Sequence, residues 1–258
     1  MSKLRLDLLL VQRGLCESRA KAQARILAGD VLVADRPVTK AGTLVAEEAE
    51  LRLRGEGLAY VGRGGLKLAG ALDAFAIQPA EWICFDAGAS TGGFTDCLLQ
   101  RGAAKVYAVD VGTNQLHWKL RSDPRVVCRE QCNLRNWDPA TIPDRCRLLV
   151  ADLSFISLKL VLPAVFGSLA EDAEAVVLVK PQFEAGRVEV GEGGIIRDPA
   201  VQARVLGELW NFFRGTPFPP RAWIESPIRG GDGNREFFLH LARGEGGLDI
   251  NLRGLGSA

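Results

Sequence analysis

The first fifty residues combine helical and strand-like spacing of apolar side chains. Between Arg5 and Arg13, leucines and a valine recur on one helical face, which predicts a first helix. Ser18 stands at an N-cap position and predicts a second helix from Arg19 to Ala28. Short apolar or alternating runs at 31–33 and 51–53 predict strands. This part of the chain is therefore predicted to be a small α+β unit.

The rest of the chain carries short apolar runs, several of which end in a charged residue. Such runs are typical of buried strands in a parallel sheet that is covered on both faces. The predicted strands are 83–86, 105–109, 125–128, 148–151, 175–179 and 237–242. A glycine-rich loop and a helix-forming stretch follow the first strand, as at the start of a doubly wound nucleotide-binding sheet. The pattern predicts an α/β fold with its ligand site at the carboxyl edge of the sheet.

Composition adds a division of charge between these two parts. The chain has 258 residues, of which 24% are charged and 47% hydrophobic, and a net charge of +1, which is ordinary for a globular protein. Residues 1–40 sum to +4 and the remainder to −3. This asymmetry indicates a basic module that could bind a polyanion, although a purely solvated surface would give the same sums. We predict an N-terminal domain at 1–57, a linker at 58–64 and a main domain at 65–258.

Several classes of protein are disfavoured by what the sequence contains. Its longest uncharged run, Leu160 to Ala170, is shorter than the ~18 apolar residues that span a bilayer. The first residues carry charges and no apolar signal core, so we expect a cytoplasmic protein. The six cysteines form no CxxC pair and there are two histidines, so we expect buried free thiols and no metal site.

The glycine-rich loop from Asp86 to Phe94 limits the class of ligand. Gly88, Gly92 and Gly93 would let a ligand approach the backbone closely. The loop lacks the lysine of a P-loop, and its glycine spacing differs from that of dinucleotide folds, so triphosphates and NAD are disfavoured. Asp110 ends the second strand, where a carboxylate can bind ribose hydroxyls. A plain tight turn would also explain the glycines.

The N-terminal motif Arg5-Leu-Asp, followed by Ser18-Arg19 and a glycine that closes the second helix, resembles the RNA-binding domain of small-subunit ribosomal protein four. The resemblance spans residues 4–54 and implies recognition of structured RNA through its phosphates. Lys21 and Arg25 lie one helical turn apart, an arrangement of like charges that favours an anionic partner. The expected RNA-binding residues are Arg5, Arg19, Lys21 and Arg25. The alternative is a two-helix cap over the main core.

Motifs in the main domain resemble the TlyA family, which joins such an RNA-binding domain to a methyltransferase domain similar to FtsJ. They are Asp86-Ala-Gly-Ala-Ser-Thr-Gly-Gly-Phe, Ala151-Asp-Leu-Ser-Phe-Ile-Ser, Val179-Lys-Pro-Gln-Phe-Glu and Arg235-Glu-Phe-Phe-Leu. The resemblance implies a Rossmann-like class I methyltransferase sheet with S-adenosylmethionine as cofactor. The cofactor-binding residues that it implies are Asp86, Gly88, Ala89, Ser90, Gly92, Gly93, Phe94, Asp110 and, after the third strand, Asn133.

The same resemblance implies a catalytic tetrad for ribose 2′-O-methylation, made of Lys67, Asp152, Lys180 and Glu236. A ribose hydroxyl is a very weak acid, so its attack on a sulfonium methyl needs a proton acceptor. A lysine accepts a proton only when it is neutral, and burial next to other positive charges favours that form. We expect Lys180 to be the general base with Asp152 as its partner, and Lys67 with Glu236 to be positioning groups. Lys67 as a solvated helix lysine, and Glu236 as an edge charge, are the alternatives.

The resemblance implies a bacterial methyltransferase that acts on cytidine ribose in large-subunit rRNA, with small-subunit rRNA as a further substrate. Its partners would be ribosomal RNA or ribosomal subunits. The loop 231–234 is interpreted either as a segment that closes over RNA or as an ordinary turn. Relatives can carry a basic-x-Trp-Val linker, whereas this chain has Leu58-Ala-Tyr-Val. The competing hypotheses are a membrane-active haemolysin and an RNA-binding protein whose methyltransferase domain is inactive.

Overall fold

The computed structural model describes residues 3–53, 59–230, 233–244 and 250. By their contacts these residues form two compact units, Met1–Ala59 and Tyr60–Ala258. Part of the expected linker and the first two residues of the 231–234 loop lie outside the described residues, so the interpretations of those segments stay predictions. Within the described part of the chain, no helix is long and apolar enough to cross a membrane.

The N-terminal unit packs two helices against short antiparallel strands. Its elements are β1 (Lys3–Arg5), α1 (Leu6–Gln12), α2 (Arg19–Leu27), β2 (Val31–Val33), β3 (Arg36–Pro37), β4 (Leu44–Ala46) and β5 (Leu51–Leu53). Strand β1 pairs with β4, and β2 lies between β3 and β5. The Ser18 hydroxyl accepts a hydrogen bond from the Lys21 amide at 3.3 Å, so Ser18 caps α2 as its position predicts. The apolar sides of α1 and α2 are buried in this unit's own core.

The second unit is a three-layer α/β structure. Its helices are α3 (Gly64–Ala74), α4 (Gly93–Gln100), α5 (Trp118–Arg121), α6 (Leu158–Val165), α7 (Pro181–Glu184) and α8 (Pro199–Arg214). Its strands are β6 (Ile83–Ala87), β7 (Lys105–Val109), β8 (Val126–Arg129), β9 (Cys146–Ala151), β10 (Leu169–Val179), β11 (Pro220–Glu225) and β12 (Phe237–Ala242). Single 3-10 turns occur at Leu134–Asn136, Pro139–Thr141, Phe166–Ser168, Arg187–Glu189 and Glu192–Gly194.

The strands of this unit form one seven-stranded sheet in the described residues, in the order β11-β12-β10-β9-β6-β7-β8. Strands β6 to β10 are parallel, and β12 runs antiparallel to both β10 and β11. The chain moves outward from β6 in one direction and returns to β9 on its other side, so the switch point lies between β6 and β9. The predicted doubly wound fold is confirmed, while α8 and β11 were not predicted.

Both faces of the sheet are covered by apolar side chains, which explains the continuous apolar strands. One layer includes Phe85, Leu149 and Phe213, and the other includes Leu98, Leu148 and Phe238. All six cysteines carry free thiols, and four of them are buried. The polar groups at the carboxyl ends of β6, β7, β9 and β10 therefore lie at one edge of a sheet whose two faces are buried by apolar side chains.

Candidate active site

The loop between β6 and α4 has a shape that requires glycine at two positions. Gly88 has φ +82°, and a Cβ there would lie 2.5 Å from the carbonyl oxygen of Asp152. Gly92 has φ +98°, and a Cβ there would lie 2.2 Å from Leu120 Cδ1. Since φ is positive and the space is filled, a side chain at either position would displace the loop. The glycine spacing thus reflects close packing of the loop against Asp152, just after β9, and against Leu120 of α5.

Asp86 lies beneath this loop and is completely buried. Its Oδ2 accepts a hydrogen bond from the Thr95 hydroxyl at 2.6 Å, whereas Oδ1 has no partner among the described residues. Burial raises the pKa of Asp86 to about 7, and the hydrogen bond from Thr95 opposes that rise. Asp86 is absent from the lining of both cavities described below. Its expected contact with the cofactor stays a prediction, and in this structure its carboxyl supports the loop through Thr95.

Asp110 joins the glycine loop to the end of β7. Its Oδ2 accepts a hydrogen bond from the Ser90 amide at 2.8 Å, and its Oδ1 accepts one from the Gly112 amide at 2.7 Å. Each carboxylate oxygen has more than one lone pair, so the side chain can still accept hydroxyl groups. Asp110 lines the larger cavity at this edge.

The larger cavity has a volume of about 480 Å³ and opens at the carboxyl edge of the sheet. Its wall is formed by Gly88, Ser90, Asp110, Val111, Gln115, Cys132, Asn133, Leu134, Arg135, Asp152, Leu153, Ser154, Phe155, Ile156 and Val161. Asn133 is an exposed residue of this wall, and its side-chain oxygen accepts a hydrogen bond from the Arg135 amide at 3.0 Å. The wall therefore combines apolar surface with a few polar groups, as ligand pockets usually do.

A smaller cavity of about 200 Å³ adjoins the first, because the two share Gly88, Ser90, Asp152 and Ser154. Its remaining lining residues are Gly62, Arg63, Gly64, Ala89, Thr91, Gly93, Phe94 and Lys180. The expected loop residues Ala89, Ser90, Gly93 and Phe94 are thus brought to one place. Gly92 lies against Leu120 and is in neither lining.

The four residues of the expected tetrad form two ion pairs. Lys180 Nζ lies 2.6 Å from Asp152 Oδ1, and both residues line the smaller cavity. Lys67 Nζ lies 2.5 Å from Glu236 Oε2, and these side chains are only 10% and 3% exposed. The solvated-lysine and edge-charge alternatives are excluded by this burial. Lys67 and Glu236 are absent from both cavity linings, so the pair lies behind the cavity wall.

The two ion pairs differ in their contacts. Lys67 donates a hydrogen bond to Glu236. Lys180 instead donates a hydrogen bond to the Ser154 hydroxyl at 2.9 Å. The Oδ1 of Asp152 accepts no hydrogen bond within the described residues, so its close contact with Lys180 is one of charge without aligned hydrogen-bond geometry.

In the N-terminal unit, two of the expected RNA-binding residues, Arg5 and Arg19, share one acidic partner. Arg5 and Arg19 both form ion pairs with Asp7 at 2.9 Å, and Gln23 donates a hydrogen bond to the same oxygen at 2.8 Å. Asp7 is completely buried, and the hydrogen bond from Arg5 is the largest cause that holds its pKa well below the ordinary range. The two arginine side chains remain 42% and 52% exposed.

The other two expected RNA-binding residues lie on α2. Lys21 forms an ion pair with Glu17, four residues earlier. The like-charge argument for Lys21 therefore overlooked a neighbouring carboxylate. Arg25 lies in the last turn of the helix.

Glu130, which was not singled out from the sequence, holds one wall of the larger cavity. Its carboxylate accepts hydrogen bonds from the amides of Asn114 and Gln115 at 2.8 and 3.0 Å, and from Arg121 at 2.5 Å. The hydrogen bond from Arg121 is the main cause that lowers the pKa of Glu130 to about 2. These contacts fix the loop that follows β7, and Gln115 of that loop lines the cavity. The sequence signal was its position just beyond the third strand.

Phe155 is a second residue that sequence reasoning quoted only as part of a motif. Its side chain is 89% exposed, its φ is +64°, and its ring lies 4.8 Å from the Phe183 ring. A positive φ is unusual for a bulky residue and costs energy. An exposed aromatic ring is thus held at the rim of the larger cavity.

No cluster of metal-ligating side chains occurs in the described ranges.

Comparison with known proteins matches both units. The sequence profile of the FtsJ-like methyltransferases matches residues 60–243, and that of the S4 domain matches residues 4–51. The chain is 48% identical to the 16S/23S rRNA (cytidine-2′-O)-methyltransferase TlyA of Mycobacterium tuberculosis, over 92% of this chain and 89% of that protein.

Two further relatives carry a different description. The chain is 42% identical to Hemolysin A of Brachyspira hyodysenteriae, over 92% of this chain and 99% of that protein. A solved structure from Streptococcus thermophilus, described as a candidate hemolysin, matches with a TM-score of 0.75 at 44% identity and covers 97% of this chain and 92% of that one. The similarity to both kinds of relative extends through the two units.

Proposed function

We propose that this protein methylates ribose 2′-hydroxyls of ribosomal RNA with S-adenosylmethionine. The chain belongs to the TlyA family of FtsJ-like methyltransferases with an N-terminal S4 domain. The observation that carries the proposal is the position of Lys180. Lys180 directly follows β10 and lines the smaller cavity together with residues of the glycine loop. It forms an ion pair with Asp152, and the smaller cavity adjoins the larger one.

The larger cavity fits an adenosine cofactor in size and in the chemistry of its wall. A volume of about 480 Å³ is within the usual range for small-molecule sites. Asp110 would bind the ribose hydroxyls, and Asn133 together with Leu134 and Val161 would surround the adenine. Gly88 and Ser90 would hold the methionine portion where the two cavities meet. When bound, S-adenosylmethionine supplies an electrophilic methyl group on its sulfonium.

Lys180 would accept the proton of the ribose hydroxyl as that oxygen attacks the methyl carbon. The lysine side chain is 12% exposed and that of Asp152 24%, so both are largely shielded from water but reach the smaller cavity. General-base catalysis of this kind contributes roughly 10²–10⁴-fold to the rate. Asp152 would then stabilise the ammonium that the proton transfer produces.

Lys67 and Glu236 would act on the shape of the site. Lys67 lies one turn beyond the start of α3, and Glu236 immediately precedes β12. Their buried pair ties α3 to the sheet, and Arg63 and Gly64 at the start of α3 line the smaller cavity. The pair therefore holds one wall of the space in which the ribose would lie.

Features of both units suit an RNA substrate. Phe155 offers an exposed ring at the rim, and unstacked bases bind to such rings. The half-exposed guanidinium groups of Arg5 and Arg19 retain N–H donors that suit phosphates. Because the Mycobacterium relative is described as a cytidine-specific enzyme for both 16S and 23S rRNA, we propose cytidine ribose in one or both subunits as the target.

The test is methyl transfer from labelled S-adenosylmethionine to each purified ribosomal subunit, followed by mapping of the modified ribose. We expect wild-type protein to label a cytidine 2′-oxygen, and Lys180→Ala to lose at least 100-fold in rate while it binds the cofactor normally.

The matched control is Lys105→Ala. Lys105 also forms an ion pair, with Asp144 at 2.7 Å, but it begins β7 at the opposite edge of the sheet. Its loss should leave transfer within about twofold of wild type. Near-normal turnover by Lys180→Ala would refute the proposed role of that lysine, and absence of subunit labelling by wild type would refute the proposed reaction.

A further inference from the structure

Lys180 has two close oxygen neighbours, and of these Ser154 accepts a hydrogen bond from it while Asp152 forms an ion pair. Lys180 Nζ donates to Ser154 Oγ at 2.9 Å, while Asp152 Oδ1 lies closer at 2.6 Å without accepting a hydrogen bond in the described residues. A charge attracts an amine without fixing its rotation, whereas a hydrogen bond depends steeply on direction. The direction of one N–H of the Lys180 amine is therefore fixed by the serine oxygen.

We infer that Ser154 is a positioning residue for Lys180, an inference that rests on the proposed function for its catalytic consequence. A neutral amine has two N–H groups and one lone pair in a tetrahedral arrangement around nitrogen. With one N–H on Ser154 and the other drawn towards Asp152, the lone pair takes the remaining direction. All three residues line the smaller cavity, in which the substrate hydroxyl would lie.

The step that this orientation serves balances as follows. The substrate O–H bond breaks and its proton forms the third N–H bond of Lys180, which becomes an ammonium. The ribose oxygen forms a bond to the methyl carbon, and the electron pair of the carbon–sulfur bond stays on sulfur in the departing thioether. Ser154 neither gains nor loses a proton, so it acts only through the lysine.

A second contact fixes Ser154 relative to Lys180. Glu184, four residues after the lysine, accepts hydrogen bonds from the Ser157 hydroxyl at 2.6 Å and from the Leu158 amide at 2.7 Å. The segment that carries the lysine and the loop that carries Ser154 are thus joined twice, once at the cavity and once beyond it. The serine hydroxyl is consequently held in place by the fold, although its residue is exposed.

The experiment compares Ser154→Thr with Ser154→Val, which have nearly the same shape and differ in the hydroxyl. We expect the threonine variant to keep kcat within about twofold and the valine variant to lose about 10-fold, with the same KM for the cofactor and the same RNA affinity in the two variants. Since Ser154 is exposed, neither change should impair folding, and equal Tm values for the two variants would verify this.

A readout independent of methyl transfer is the rate of Lys180 acetylation by acetic anhydride at one fixed pH, followed by mass spectrometry without cofactor or RNA. Loss of the hydroxyl in the valine variant removes the oxygen that holds one N–H of the amine, so this rate should be about threefold higher than in the threonine variant. Asp152 and Arg63 are the other charged side chains in the lining of this cavity, and both variants retain them.

The two readouts separate the possible failures. If the valine and threonine variants agree in kcat and in the rate of Lys180 acetylation, the positioning role of Ser154 is wrong. A fall in kcat with no difference in acetylation rate between the variants would also overturn it, because a general structural defect would do the same. If wild type methylates no ribosomal subunit but the acetylation rates differ, the proposed function fails while the contact between serine and lysine stands.

Discussion

Asp7 in the N-terminal unit and Asp86 in the methyltransferase unit are both completely buried, but their pKa values are shifted in opposite directions. Asp7 accepts hydrogen bonds from Arg5, Arg19 and Gln23, and its pKa falls far below the ordinary value. Asp86 accepts a side-chain hydrogen bond from Thr95, and its pKa rises to about 7. Burial raises the pKa of both carboxyls, and at Asp7 the hydrogen bonds from two guanidinium groups and an amide outweigh that effect.

The difference corresponds to two uses of a buried carboxyl. Asp7 gathers two guanidinium groups and leaves both half-exposed at the surface of the RNA-binding unit. Asp86 gathers no cation and supports the glycine loop through Thr95, the third residue of α4. A negative charge under that loop is costly, whereas a negative charge under the two arginines organises them. Buried carboxyls in this protein thus serve either to arrange charge or to anchor backbone.

The largest effect should follow removal of the Asp7 charge. Asp7→Asn removes the carboxylate that accepts hydrogen bonds from two guanidinium groups, and hydrogen bonds to charged groups contribute roughly 1.5–3 kcal/mol each, so we expect the N-terminal unit to lose about 3 kcal/mol of unfolding free energy. Because the pKa of Asp7 is lowered, its contribution is present above pH 3.8 and is lost on acidification. Hydrogen exchange of the amides of α1 and α2 in the full chain would measure the loss at neutral pH.

The matched control is Asp35→Asn in the same unit. Asp35 also pairs with an arginine, Arg52, but its side chain is 66% exposed, so we expect a change below about 0.5 kcal/mol. Cofactor affinity should be unaffected in both variants. A loss below about 1 kcal/mol in Asp7→Asn would contradict the organising role of that carboxylate.

Asp86→Asn should have a smaller effect of opposite sign. The folded pKa of about 7 lies above the ordinary 3.8, so the folded chain binds the proton more tightly and stability falls as pH rises between these values. At 1.4 kcal/mol for each pH unit the upper limit is about 4 kcal/mol, and we expect a gain of about 2 kcal/mol because the amide adds an unpartnered donor.

Denaturant unfolding of wild type and Asp86→Asn at pH 5.5 and pH 8 would measure this gain. The wild-type protein should be relatively less stable at pH 8, and the variant should show a flatter dependence. A variant that is less stable than wild type at pH 8 would mean that the Asp86 charge is stabilised by a partner, and the contrast with Asp7 would then be lost.

Local patterns were sufficient for most of the methyltransferase sheet. The parallel strands are apolar on both faces, so β7 and β12 were predicted with their observed bounds and the polar strand ends followed directly. Helix α8 was missed although Asp198 caps it and Pro199 begins it, both of which are standard start signals. The Lys67–Glu236 pair joins residues 169 positions apart, and only the family resemblance had suggested that they act together.

The sequence did not indicate which side chains contact the buried carboxyl groups. The family resemblance assigned Asp86 to the cofactor, which stays a prediction, but it gave no indication that the carboxyl accepts a hydrogen bond from Thr95. Asp7 had been quoted within a motif without a role, because its contacts with Arg19 and Gln23 depend on how α1 packs on α2. Burial and partner geometry are tertiary properties that residue spacing does not encode.

The smallest effect in this series concerns the charges of α2 that are not organised by Asp7. Lys21 is 63% exposed and pairs with Glu17, so replacing Lys21 and Arg25 together by glutamine should leave the stability of the unit nearly unchanged. If these residues contact phosphates, RNA binding should weaken a few-fold and the slope of log K against log salt should fall by about one for each lost contact.

Titration of ribosomal RNA with the double variant at several salt concentrations would measure this slope, with Asp7→Asn as the comparison. Asp7→Asn should weaken RNA binding through disorder of Arg5 and Arg19 while both charges remain, so its salt slope should change less than its affinity. An unchanged slope in the Lys21 and Arg25 variant would remove α2 from the RNA interface and leave the arginines held by Asp7 as the phosphate-binding part of the unit.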